Sequence, residues 1–284
     1  MTYDRSGAAR AGAAVLDQGL ASVASFAASV AVATQLSVEA HGRFAFALAA
    51  MGLLVGGHQA VIIEPALMHG QGRFRASSAA HQRVVWRLHA WLMVVVAVSM
   101  TGVGALGYVL DGTEGAATLG VLAVVAPAWL TLNLARRLEF VALRPERAAQ
   151  RSGLFLAGVG GALGGLIATG RLAPATALLA LGGSALAVIV VDARRLRPPR
   201  AETAGLRDDV VAAHRDHAGW ALGATVARWM PLHGAAFLLP LVADEGFYHA
   251  GSLRTHLLLA LNRWAWAKRS RAGRAWRACT RWVW

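Results

Sequence analysis

Residues 174–193 read PATALLALGGSALAVIVVDA, and Arg194-Arg195 follows at once. About 20 mostly apolar residues are what a helix needs to cross the hydrocarbon core of a bilayer. This run therefore predicts a membrane-spanning helix. Outward from it, six further runs of the same kind lie near 14–36, 44–68, 88–110, 116–135, 152–170 and 219–242, and an eighth, weaker one starts near Tyr248. The 284-residue chain is 56% hydrophobic and only 15% charged, with a mean hydropathy of +0.48. A soluble domain carries about 25% charged residues. The expectation is an all-α, polytopic helical membrane protein with about seven transmembrane helices. Met1–Arg10 is polar and the run behind it is long enough to span, so the first helix reads as uncleaved.

The net charge is +13. In a soluble chain this would suggest nucleic acid, but here the charges fall between apolar runs, and no nucleic-acid partner is expected. Seventeen arginines lie on one side of the alternating loops, from Arg5 and Arg10 through Arg73–Arg87 and Arg136–Arg151 to Arg194–Arg215. Two, Arg43 and Arg171, lie on the other. Short cytoplasmic loops collect Lys and Arg, so the N-terminus is expected in the cytoplasm of a multi-pass inner-membrane protein.

The expected organisation is six spans over 1–193, a cytoplasmic linker over 194–218, the seventh span and the start of an eighth over 219–262, and a tail over 263–284. The linker holds Pro198-Pro199 and Asp208-Asp209 and suits a surface helix. The tail holds five of the ten Trp, seven basic residues and the one cysteine, Cys279. It reads either as a basic, aromatic helix seated at the interface or as sequence that has left its reading frame, the second being favoured.

Chemistry-bearing motifs are absent. The ten His are scattered, there is no Cys pair, and Gly158–Gly165 lies inside an apolar run without the strand and Lys of a phosphate loop. That glycine cluster suits close helix packing in lipid. No enzyme, metal or cofactor is expected. The informative groups are ionisable or polar residues within the runs, which are costly in hydrocarbon and face a cavity or a partner. Asp17 and Gln18 lie just inside the first run. His58, Gln59 and Glu64 lie along the second, with Pro65 after Glu64. Arg228 and His233 lie in the seventh. Arg228 is nine residues in, about 13 Å deep at 1.5 Å per residue. It requires an anionic ligand, a wet cavity or an acidic partner, with Asp17 and Glu64 as candidates for the last.

The residues Leu16-Asp17-Gln18-Gly19-Leu20-Ala21-Ser22, Glu39-Ala40-His41-Gly42-Arg43-Phe44 and Ile62-Ile63-Glu64-Pro65 resemble the opening of bacterial polysaccharide and lipopolysaccharide biosynthesis flippases. These belong to the multidrug/oligosaccharidyl-lipid/polysaccharide exporter superfamily. Arg136-Arg137-x-x-Phe140, Trp220 and Arg228-Trp229 are similar too. His41 departs from the pattern, standing where the family has an aromatic residue. The resemblance covers about residues 10–255. It implies one lobe of a two-lobed, MATE-like flippase that translocates lipid-linked oligosaccharide or polysaccharide precursors by alternating access. Its implied partners are the lipid-linked glycan, membrane lipids and another chain supplying the second lobe. Its implied substrate-binding residues are Arg228, Asp17, Glu64 and His233, with Arg228 on the anionic diphosphate. The rival readings are a drug or cation antiporter of the same fold, a non-transporting partner in a glycan-synthesis complex, and a glycosyltransferase using Asp208-Asp209.

Overall fold

The computed structural model describes residues 5–111, 114–196, 203 and 205–231. The chain divides into two units, Met1–Phe237 and Leu238–Trp284, and every described residue belongs to the first. His233, the weak eighth run and the tail lie outside the described residues.

The described chain is helical, with no strand. Its helices are α1 (Arg5–Gln35), α2 (Val38–His58), α3 (Glu64–Gly70), α4 (Ser78–Asp111), α5 (Glu114–Val141), α6 (Pro145–Ala168), α7 (Pro174–Val191), a short α8 (Ala193–Leu196) and α9 (Arg207–Trp229). Six segments are long and apolar enough to cross a membrane: Gly7–Gln35, Val38–Gly70, Arg75–Val109, Ala116–Val141, Pro145–Ala168 and Pro174–Val191. They match the first six apolar runs and are consistent with a multi-pass membrane protein.

Local chemistry sets the breaks. Ser37 caps α2, its hydroxyl accepting from the Ala40 N–H at 3.3 Å. Pro65 has no N–H to give back to the preceding turn. The helix answers with a π turn over Gln59–Ile63, in which the Glu64 N–H reaches the Gln59 carbonyl, so α2 and α3 run on as one span. Prolines at the first helical position open α6 and α7. Leu143 takes φ 57° in the tight α5–α6 turn, where the Arg144 N–H bonds the Glu139 carbonyl at 2.8 Å.

The helices pack around α5 and α7. Leu122, Val125 and Leu130 of α5 meet Leu178, Leu181 and Ala185 of α7, flanked by Ala24 and Ala28 of α1, Phe44 of α2 and Phe155 of α6. Backbones come closest at glycines. A Cβ on Gly104 would lie 2.7 Å from the Gly120 Cα, and one on Gly182 would lie 2.9 Å from the Val125 Cα. The Gly158–Gly165 cluster behaves differently from its reading as a packing face. Gly158 abuts Ser184, but among the described residues a Cβ on Gly160, Gly161, Gly164 or Gly165 would meet no other helix within 4 Å.

Three boundaries move. Helix α4 begins ten residues before the run at 88, and α5 continues beyond 135 to take in Arg136 and Arg137. Helix α9 begins at Arg207, so 207–218, expected as a linker suited to a surface helix, is helical and runs on into the run from 219. Its buried face, Val210, Ala213, His214, His217, Ala221 and Thr225, recurs every three or four residues and lies against the α2–α3 span and α4.

Candidate functional site

Asp17 on α1 is completely buried. A buried carboxylate requires a partner of opposite charge and donors for its remaining lone pairs. It has both. Arg136 of α5 forks onto it, Nε to Oδ1 and Nη2 to Oδ2, each at 2.8 Å, and the Ser152 hydroxyl of α6 donates to Oδ1 at 2.6 Å. Three helices are thereby tied at one depth. The expected pairing of Asp17 with Arg228 gives way to Arg136, a residue the hydropathy pattern left in a loop.

Arg151 of α6 makes a second knot at the same end of the bundle. Its guanidinium meets Asp192 at 2.7 Å and Glu139 at 2.7 Å, and donates to the Ala135 carbonyl at 2.7 Å. Through these bonds Arg151 holds α5, α6 and α7 together.

Beside the first knot lies a cleft of about 230 Å³ between α1, the π turn, α5 and α6. Its polar wall is Gln18, Ser22, Gln59, Asn133, Arg136 and Arg137. Trp129 and Phe155, packed edge to face with centroids 5.4 Å apart, line its apolar side. The charges here do not cancel. Arg136 is matched by Asp17, whereas Arg137 is half-buried and makes a 3.4 Å bond to the Gln18 Oε1 and lies 5.8 Å from the Phe140 ring. Two guanidiniums against one carboxylate leave one positive charge for an anion in the cleft.

Glu64 points elsewhere. Its carboxylate is met by the His217 Nε2 of α9 at 3.2 Å. His217 in turn packs edge to face on Trp220 at 4.8 Å. His214, one turn earlier, donates from Nδ1 to the Val210 carbonyl at 2.9 Å, which leaves its buried Nε2 without a partner. Burial first, and then neighbouring His69 and His217, hold the His214 imidazole below its ordinary value, against the opposing bond to the Val210 carbonyl.

Behind the cleft wall runs a directed hydrogen-bond chain. The Thr131 hydroxyl donates to the Pro127 carbonyl at 2.7 Å, so it can only accept from the His89 Nε2, 3.0 Å away. A neutral His89 then presents Nδ1 as an acceptor to the His58 Nε2 at 3.0 Å. The buried His58 Nδ1 has no hydrogen-bond partner among the described residues. His58 directly precedes Gln59 of the cleft, and its ring meets His89 edge to face at 5.1 Å.

Of the residues expected to bind substrate, the structure brings Asp17 to the cleft's edge through Arg136 and places Glu64 at the α9 contact. Arg228 is exposed, in the last turn of α9, 21 residues from its start rather than nine. Asp17 and Glu64, its expected acidic partners, are engaged by Arg136 and His217. His233 lies outside the described residues. Gln59 was visible in the sequence as a polar residue within a run. Arg137, Asn133, His89 and Thr131 were missed as site residues. Among the described residues no cluster of His, Cys, Asp and Glu is arranged to hold a metal ion. The chain matches no protein-family model, no curated protein and no solved structure.

Proposed function

We propose that this chain translocates lipid-linked oligosaccharide or polysaccharide precursors across the bacterial inner membrane by alternating access, with its N-terminus in the cytoplasm. The observation that carries this reading is the cleft itself. Polar side chains of α1, the π turn and α5 converge between helices apolar enough to span a bilayer, and one guanidinium there, Arg137, has no carboxylate bonded to it among the described residues. Polar groups within spanning segments are expensive and mark substrate pathways. A diphosphate suits Arg137, whose planar fork matches phosphate oxygens. Gln18, Gln59 and Asn133 offer amide donors and acceptors to sugar hydroxyls. Trp129, in the lining, adds an aromatic surface for the apolar side of a sugar ring. Arg228, the expected diphosphate ligand, gives this role to Arg137. A cation antiporter fits less well, because the cleft's one lining acid-linked group is already neutralised and its surplus charge is positive.

The test is binding and flipping of a fluorescent undecaprenyl-diphosphate oligosaccharide by the reconstituted full chain. Arg137→Gln is expected to weaken binding at least tenfold and Arg228→Gln less than twofold, with both variants folded. Unchanged binding and flipping in Arg137→Gln overturns the reading.

A further inference from the structure

We propose that the groove between the start of α6 and the end of α7 binds the headgroup of an anionic phospholipid. This groove has a volume of about 320 Å³ and lies apart from the cleft. Its lining holds three guanidiniums, Arg147, Arg151 and Arg194, and one carboxylate, Asp192. Arg151 is met at 2.7 Å by both Asp192 and Glu139, so three guanidiniums stand against two carboxylates, a surplus of one positive charge. Arg147 and Arg194 remain, and among the described residues no carboxylate is bonded to either. Two such cations on facing walls attract an anion, and a phosphodiester is of the right size and charge.

The order of side chains along the walls favours a lipid over a free ion. On α6, Arg147 stands two turns before Leu154, about 10 Å along the axis and on the same face. On α7 and its continuation, Val191 comes before Asp192 and Arg194. Both walls thus run from cation to apolar in the direction that enters the spanning segments. Leu154 is 53% exposed and Val191 is 77% exposed, so each leaves apolar surface beside the groove. A phospholipid carries the same sequence of groups: phosphate outermost, then glycerol, then acyl chain. The arginine asymmetry puts this end of the bundle at the cytoplasmic leaflet, where anionic lipids and basic inter-helical pockets meet. Gln150, also in the lining, supplies an amide for the glycerol oxygens.

The inference is independent of what the cleft transports. It is tested on the full chain purified in a neutral detergent, by titrating phosphatidylglycerol, phosphatidylcholine or inorganic phosphate. The readouts are the number of lipids retained in native mass spectrometry and the thermal unfolding midpoint. Phosphatidylglycerol is expected to be retained and to raise the midpoint, and phosphatidylcholine to do neither. Arg147→Gln with Arg194→Gln is expected to weaken phosphatidylglycerol binding about thirtyfold, one surface charge being worth about a factor of five. Arg147→Lys with Arg194→Lys should retain most of it. Arg144→Gln, which removes an exposed charge outside the groove lining, should leave it unchanged. Three results overturn the proposal: equal retention by the Gln pair and the unaltered chain, equal retention of phosphatidylcholine, or full protection by inorganic phosphate at the same concentration, which would make the ligand a free anion.

Discussion

Asp17 and Arg136 can be separated experimentally into a pair and two stranded charges. Asp17 accepts two bonds from Arg136 and one from Ser152 with no exposure to solvent, and Arg136 is 7% exposed. Replacing Asp17 by Leu leaves the guanidinium buried without its counter-ion. Replacing Arg136 by Met leaves the carboxylate held by one hydroxyl. Removing one partner of such a pair costs about 3–5 kcal/mol. A whole domain is stable by about 5–15 kcal/mol, so either change removes a large fraction of the stability. The double change, Asp17→Leu with Arg136→Met, replaces the pair by apolar groups of similar bulk, which is neutral or stabilising where they pack. The double variant should therefore lie closer to the unaltered chain than either single one, with a coupling of about 3 kcal/mol or more.

Ser152→Ala sharpens the test. Its hydroxyl bond to a carboxylate is worth about 1.5–3 kcal/mol, less than the ion pair because Asp17 keeps its fork. Reversible unfolding in mixed micelles with increasing dodecyl sulfate, followed by far-ultraviolet circular dichroism, ranks the four variants. Additive losses in the double variant, or a loss below about 1 kcal/mol in Asp17→Leu, would show that the two side chains do not share a buried contact and would remove the anchor on which the cleft's geometry rests.

Three further outcomes are expected. Gly182→Val drives a branched side chain into the Val125 backbone, 2.9 Å from the Cβ position, and should cost about 1–3 kcal/mol or more in the same unfolding assay, whereas Gly161→Ala, with open space around it, should stay within about 0.5 kcal/mol. Thr131→Val strands the His89 Nε2 proton and should cost about 1–3 kcal/mol, and nitrogen-15 spectra of the unaltered chain should show both His58 and His89 protonated at Nε2 alone. His214 is held neutral by burial, so its unfolded form binds protons first: its contribution to docking α9 is complete above the unfolded value near 6.5 and is lost as pH falls below it toward the lowered folded value. Protection factors of the α9 amides should therefore fall on acidification, and His214→Leu should flatten that dependence.

How much of this was legible in the sequence divides along a physical line. The existence of a spanning helix is a local property, set by some 20 apolar residues, and six of the expected runs are helices long and apolar enough to span. The ends are different, because hydropathy falls where the chain nears the interface while backbone hydrogen bonding continues. That is why Arg136 and Arg137 looked like loop residues although α5 carries them. The start of α9 was hidden in the same way: the apolar run begins at 219, but α9 starts at 207, its first turns packing on α4 through Val210 and Ala213. Partners are harder still, since Asp17 and Arg136 are 119 residues apart and Glu64 and His217 are 153 apart. No local pattern fixes the relative depth and rotation of two helices. Yet a usable signal was there. Gln18, Ser22 and Ser25 stand at four- and three-residue spacing on α1, and on α5 Asn133 stands three and four residues before Arg136 and Arg137. Each is a polar stripe along one face of an otherwise apolar helix. Two such stripes cannot both face hydrocarbon cheaply, so each seeks the other, and the space between them is the cleft.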